Sequence, residues 1–195
     1  MNLKLLDMSD RAKPRAAAVL DHSAVKIRRE RAEDHVAVRD VLIEAFGQPD
    51  EADLVEALRQ GCDDLVSLVA TDVDRIVGHI LFTPAIIETT GGCMVGMGLA
   101  PMAVRPEHQR QGLGQRLVRE GIEALKRRQC PFVVVLGHPD YYPRFGFQPA
   151  SRFGVVCPWE VPDEAFLILL LDDARMADVK GVARYRPEFD LPAAS

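Results

Sequence analysis

A chain of 195 residues, 48% hydrophobic and 27% charged, has the make-up of a globular protein with one well-filled core. Its net charge of −5 and pI near 5.6 give no overall positive field, which argues against nucleic acid and anionic membrane as partners. Cys62, Cys93, Cys130 and Cys157 stand far apart, with no Cys-x-x-Cys pair and no histidine at zinc-ligand spacing, so they read as reduced thiols and no metal is expected.

Residues 1–24 scatter Lys4, Asp7, Asp10, Arg11, Lys13 and Arg15 among apolar positions, so no apolar run of signal-peptide length forms. They read as an N-terminal extension, for which the sequence leaves a flexible segment and an extra packed helix both open. The most apolar later run, residues 166–171, is too short to cross a bilayer, and the expected location is the cytoplasm.

The folded domain is expected over residues 25–172. Val25-Lys26-Ile27-Arg28 alternates as a strand does. Val38, Val41, Leu42, Ala45 and Phe46 then fall on one helical face, closed by Gly47 and Pro49. A second helix begins near Asp50, turns Leu54, Val55 and Leu58 inward and stops at Gly61. Residues 65–70 and 76–82 are β-rich and joined by a hairpin connection; residues 86–90 extend the second strand to a turn at Gly91-Gly92.

Residues 97–104 read as a buried strand interrupted by Pro101, which removes a ladder donor and predicts a bend or a local loss of pairing. Leu113, Leu117, Val118, Gly121, Ile122 and Leu125 mark the clearest helix. A buried strand follows at residues 132–136, then a Pro-rich turn or short helix over residues 137–147, and strands near residues 153–157 and 166–171. This order indicates a mixed α/β (α+β) fold with a largely antiparallel sheet. Residues 173–195, with Pro187 and Pro192, read as an irregular C-terminal extension.

Two segments carry chemistry. The first, Gln109-Arg110-Gln111-Gly112-Leu113-Gly114-Gln115-Arg116, joins a buried strand to the strongest helix. Helix N-termini leave backbone N–H groups unpaired and partly positive, and glycines let a diphosphate approach them. Arg110 and Arg116 add cationic contacts, and His108 in the same loop is placed for solvent or phosphate. The pattern alone is also compatible with a glycine-bearing turn that holds no ligand. The second segment is Gly137-His138-Pro139-Asp140-Tyr141-Tyr142-Pro143-Arg144-Phe145-Gly146-Phe147. Phe145 and Phe147 read as core. Of the adjacent tyrosines, one packs while the other faces a cleft, since neighbours on a helical turn point different ways.

Together these segments resemble the GNAT superfamily of N-acetyltransferases. The stretch from Leu99 through Gly114 is similar to the acetyl-CoA motif with its preceding strand, and Tyr142-Pro143-Arg144-Phe145-Gly146-Phe147 to the family's Tyr-x-x-x-Gly-Phe motif. The fuller second segment looks most like the YhbS-type branch. The resemblance implies a GNAT-like sheet, with helices on both faces and two parallel strands splayed apart around acetyl-CoA. In that scheme Met102, Ala103 and Val104 hold the pantetheine arm through their backbone. Gln109, Arg110, Gln111, Gly112, Leu113, Gly114 and Gln115 surround the pyrophosphate.

The implied activity is transfer of an acetyl group from acetyl-CoA directly to a primary amine. Tyr142 is the expected general acid, with Tyr141 as its alternative. Many relatives carry a carboxylate base on the strand before the loop, and residues 99–104 offer none. The base candidates are His138, Asp140 and Glu88, with His79 behind them; His138 and Asp140 are nearer the expected cleft. A non-catalytic acyl-CoA sensor, an interaction module and a homodimer all stay open at this stage, as does the identity of the acceptor.

Overall fold

The computed structural model describes residues 25–190; the extension expected over residues 1–24 lies outside them. Strand β1 (Val25–Arg29) leads through a short turn into helices α1 (His35–Phe46) and α2 (Asp50–Gly61). Val38, Val41, Leu42, Val55 and Leu58 are fully buried, which is the helical stripe the sequence shows. Ala45 and Phe46 depart from it: both stay half-buried at the end of α1, where Gly47 adopts φ 73° and closes the helix.

Strands β2 (Val66–Asp72), β3 (Arg75–Thr89) and β4 (Gly92–Val104) form an antiparallel meander joined at Val73-Asp74 and Thr90-Gly91. Helix α3 (Leu113–Arg127) follows, then β5 (Phe132–Leu136). All six apolar positions read for α3 are buried, and Gly121 brings its backbone against the Phe82 ring. Strand β6 (Gln148–Pro149) comes after a 3-10 turn at Tyr142–Phe145, and is followed by β7 (Val155–Val156) and β8 (Phe166–Leu170). The strand expected at residues 153–157 thus shrinks to two residues, because residues 150–153 curl into a 3-10 turn ended by Gly154 at φ 70°.

The segment expected to be irregular after Asp172 instead holds helix α4 (Asp173–Met176) and strand β9 (Gly181–Arg184). β9 pairs with β3 at Ile86, Ile87 and Glu88, and its Ala183 is fully buried. Four-residue elements with a single buried apolar side chain leave almost no periodic signal, and their order comes from the β3 edge they meet.

The sheet runs β1-β2-β3-β4-β5-β8-β6, with β9 on β3 and β7 on β9. This is the mixed, mostly antiparallel sheet, with helices on both faces, that the sequence resemblance implies. One face packs on α3 through Ile80, Phe82, Leu117 and Val135; the other packs on α1 and α2 through Val69, Leu81 and Leu42. Below it, under β9, lies a third cluster around Ile87, Phe132 and Ile168. No helix among the described residues is long and apolar enough to cross a membrane.

Candidate active site

The site begins where β4 leaves β5. Their parallel pairing is confined to Met97–Val133 and Gly98–Val134. Just beyond it, Ala100 and Pro101 sit between Leu99 and Met102 while one residue, Leu81, separates their partners Phe82 and Ile80 on β3. That bulge, at a proline without an N–H, bends β4 away from β5. From Leu99 to Val104 the strand keeps its β3 neighbour on one edge, and alternate backbone groups on the other edge open onto a gap. The bend read from Pro101 is therefore the origin of a splay.

The gap leads to the N-terminus of α3. Gln109 pins the loop by donating from Nε2 to the Val104 carbonyl at 2.9 Å, and Gln111 Nε2 donates to the Glu107 carbonyl. Arg110 and Gly112 both take left-handed conformations, φ 60° and 81°, and curl the chain into the helix. The first amide bonded back to the loop is that of Arg116, to Gly112 O, so the amides of Leu113, Gly114 and Gln115 remain directed outward. The two glycines serve different ends. Gly112 supplies the left-handed N-cap, with open space around it. At Gly114 a Cβ would stand 2.9 Å from Tyr141 Oη.

A cavity of about 370 Å³ covers this loop and strand end. Met102, Ala103, Val104, Gln109, Arg110, Gly112, Gly114 and Gln115 line it, as do Tyr141, Arg144, Ala45 and Phe46. Of the expected loop residues, Gln111 turns its side chain away, and the Leu113 side chain is buried in the core. A larger hollow of about 770 Å³ lies over β1 and the Asp74 turn; it contains none of the loop amides and is no candidate for this chemistry. Arg116 stands at its wall and donates to the Val25 carbonyl.

The tyrosines divide. Tyr141 lines the cavity, with its hydroxyl over Gly114 and the Arg144 guanidinium 4.9 Å from its ring centroid. Burial raises its phenol above the usual range, while Arg144 and Arg119 oppose the rise. Tyr142 packs on the α3 face, against Phe147 and over Gly137, immediately past the end of β5. Burial pushes its phenol further up, with Tyr141 adding to it. Arg144, Ala45 and Phe46 were not read as site residues. Arg144 stands inside the Tyr-x-x-x-Gly-Phe motif, so its charge was the available signal; α1 gives none, because its end belongs to the site only through the fold. Arg105 makes that connection: buried, it donates from Nε to the Ile76 carbonyl at 2.9 Å and ion-pairs with Glu44 of α1.

The remaining candidates separate clearly. His138 follows β5; its carbonyl accepts from Tyr141 N, and its Nε2 is buried with no partner among the described residues. Asp140 is exposed, and its carbonyl accepts from Arg144. Glu88 forms an exposed pair with Arg184 at 3.0 Å, away from the gap. His79 is fully buried beneath the site: Nε2 meets Ser67 Oγ at 2.9 Å, and Ser67 in turn donates to Glu30, which pairs with Arg59. Burial, with Arg59 next, lowers its pKa to about 3, so it stays neutral. His108, expected near solvent or phosphate, is instead buried and turned toward Asp72 at 3.8 Å.

A splayed parallel pair leading to a glycine-bearing helix N-terminus defines an acyl-CoA-dependent acyltransferase of the GNAT type. The chain belongs to that family: residues 26–150 match the acetyltransferase (GNAT) domain. It is 44% identical over 130 residues to the uncharacterized N-acetyltransferase YjhQ of Escherichia coli K12, covering 65% of this chain and 72% of that one. With YhbS of the same strain it shares 33% identity over 158 residues, 80% of this chain and 93% of that one. The crystal structure of Escherichia coli YhbS in complex with CoA superposes with a TM-score of 0.80 at 32% identity, over 93% and 97% of the two chains. A Brucella melitensis GNAT acetyltransferase in complex with acetyl-CoA gives 0.70 at 31% identity, over 87% and 100%. This chain is accordingly a GNAT-type N-acetyltransferase.

Proposed function

We propose that this chain binds acetyl-CoA along the β4–β5 gap and transfers the acetyl group directly to a primary amine. The observation that carries the reading is the unpaired β4 edge running from Leu99 to Val104 into the outward amides of α3. A pantetheine arm carries amide groups that pair with such an edge as a strand would, and a diphosphate suits the helix N-terminus with Arg110 and Arg144 beside it. The CoA and acetyl-CoA held by the two similar crystal structures support it.

The reaction needs a neutral amine, a polarised carbonyl and a proton for the departing thiolate. A lysine-like amine is neutral in only about one part in two thousand at pH 7, so a base must take its proton. His138 is the better candidate, since its Nε2 is enclosed and unpartnered whereas Asp140 is exposed. Tyr142 is the general acid. It packs over Gly137, directly after the end of β5, while Tyr141 lines the cavity at Gly114 and serves the cofactor arm. Burial keeps Tyr142 protonated at rest, as an acid must be, and the same dry setting makes an emerging thiolate more basic. Calorimetry with CoA, followed by thiol release across a panel of amines, tests the reading. Binding with turnover of at least one amine is expected; absence of CoA binding would overturn it.

A further inference from the structure

Tyr185 follows β9 directly and lies outside the span that matches the family. Its ring lies against Gly98, where a Cβ would come within 2.5 Å of Tyr185 Cε1, so only glycine admits it there. Gly98 is the last β4 residue paired with β5, which puts the ring at the point where the strands part. Trp159 and Phe189 hold it from two sides, with ring centroids 5.3 and 5.2 Å away.

The Tyr185 hydroxyl is buried and has no hydrogen-bond partner among the described residues, and the Leu136 amide at the end of β5 is the backbone group facing it. Thr83 is the cross-strand partner of Gly98 and shares its face of the sheet; its Oγ1 is buried and unpartnered as well. Buried hydroxyls are nearly always bonded, so two such groups at one strand junction point to a polar atom of the substrate as their partner. Tyr142 belongs to the opposite face, near enough for ionisation of one phenol to disfavour ionisation of the other. Two phenols thus approach the end of β5 from opposite faces of the sheet.

What Tyr185 can offer follows from its surroundings. Burial first, then Cys157 and Tyr142, hold its phenol well above the usual range, so it stays protonated. A group fixed in that form is no base, but it suits an oxygen that gains negative charge in a dry site.

We propose that Tyr185 donates a hydrogen bond to the thioester carbonyl oxygen of bound acetyl-CoA and to the oxyanion formed there. The inference rests on the acetyl-transfer reading above. The amine nitrogen forms the C–N bond, and the carbonyl π pair moves onto oxygen, where Tyr185 binds it without giving up its proton. As the pair returns the C–S bond breaks; sulfur takes a proton from Tyr142, and the surplus amine proton goes to the base.

Tyr185→Phe keeps the ring and removes the donor. Infrared spectroscopy of carbonyl-13C acetyl-CoA reads the contact without any acceptor. The thioester carbonyl stretch is expected at lower frequency on the unmodified protein than on Tyr185→Phe, with CoA affinity equal in both. Once an acceptor is in hand, kcat should fall by roughly 10²–10³-fold with KM for acetyl-CoA unchanged. Fluorotyrosine placed at 185, a stronger donor of nearly the same shape, should lower the stretch further. Equal carbonyl frequencies in all three proteins would overturn the proposal, as would a loss of CoA affinity in Tyr185→Phe with no carbonyl shift. Failure of the unmodified protein to bind acetyl-CoA is a separate outcome, and would remove the parent reading as well.

Discussion

The loop side of the β4–β5 gap comes from one contiguous stretch, residues 102–115, with Tyr141 and Arg144 closing over it. The other part of the lining comes from Phe46 at the end of α1, and the apolar cluster behind Phe46 also takes in Trp159, from a long connection, and Tyr185 after β9. The first is backbone chemistry: an open strand edge, a left-handed glycine and the amides of one helix turn. The second is side-chain chemistry gathered from three distant places. A nucleotide carrier that must always be held the same way is met by geometry a short sequence can encode; the partner side is where side chains can vary without disturbing it.

The comparison breaks first at Tyr142, the residue we assign as the general acid. Tyr142→Phe removes a hydroxyl and little volume, so CoA affinity should survive while kcat falls roughly 10²–10⁴-fold. Normal turnover in that variant, with Tyr141→Phe inactive, would exchange the two roles. Normal turnover in both would mean the thiolate leaves with a proton from water.

The next effect lies under the loop side. His79 pairs across the sheet with Ala103, a cavity residue, and is held neutral with a pKa near 3. Unfolded, it would titrate near 6.5. The unfolded chain therefore binds the extra proton first, and the stability that neutral His79 contributes is complete above about pH 6.5. It is lost as pH falls toward 3, by up to roughly 4–5 kcal/mol. Thermal melts from pH 7 to 4 should show a steeper fall for the natural protein than for His79→Gln. Parallel curves would show that His79 is not the group taking up the proton.

These two cases also show how far the sequence was legible. The α3 stripe, the β2–β3–β4 meander and the loop glycines are local patterns, and all can be read directly. Pro101 announced a break in β4, although pairing alone did not say that β5 would be the strand left behind. Tyr142 and Tyr141 were distinguishable only through the family motif, because residues at i and i+1 carry no spacing signal; the fold separates them by placing one over Gly137 and the other over Gly114. Phe46 reads only as part of the α1 stripe, and Tyr185 is not read at all. Each enters the site through a tertiary contact, on the β3 edge or through the Arg105–Glu44 pair, and nothing within ten residues of either marks it.

A third test addresses the loop alone. Gly112→Asp forces a Cβ into φ 81° and sets a carboxylate beside the helix amides that we assign to the diphosphate. Both effects oppose binding, and CoA affinity should weaken by about a hundredfold, while the aromatic cluster at Tyr185 is untouched. Titration calorimetry decides it; an unchanged Kd would place the diphosphate elsewhere and dissolve the contrast between the two sides.

The smallest effect is expected from Tyr141→Phe, and it sharpens the comparison most finely. The Tyr141 hydroxyl stands over Gly114, within the wall that the loop builds, while its ring is held by Arg144 and by Phe145 at 5.5 Å. Phenylalanine preserves the ring contacts and removes one hydrogen-bonding group that is only partly shielded from water. One neutral hydrogen bond contributes about 1 kcal/mol net, so CoA affinity should weaken about fivefold. Because that contact is equal in ground and transition states, KM for acetyl-CoA should rise by the same factor with kcat unchanged. A fall in kcat at constant KM would instead bring the Tyr141 hydroxyl to the reacting carbon. The cavity at Gly114 would then hold the acyl end of the cofactor, reversing the direction in which we run the pantetheine arm along β4.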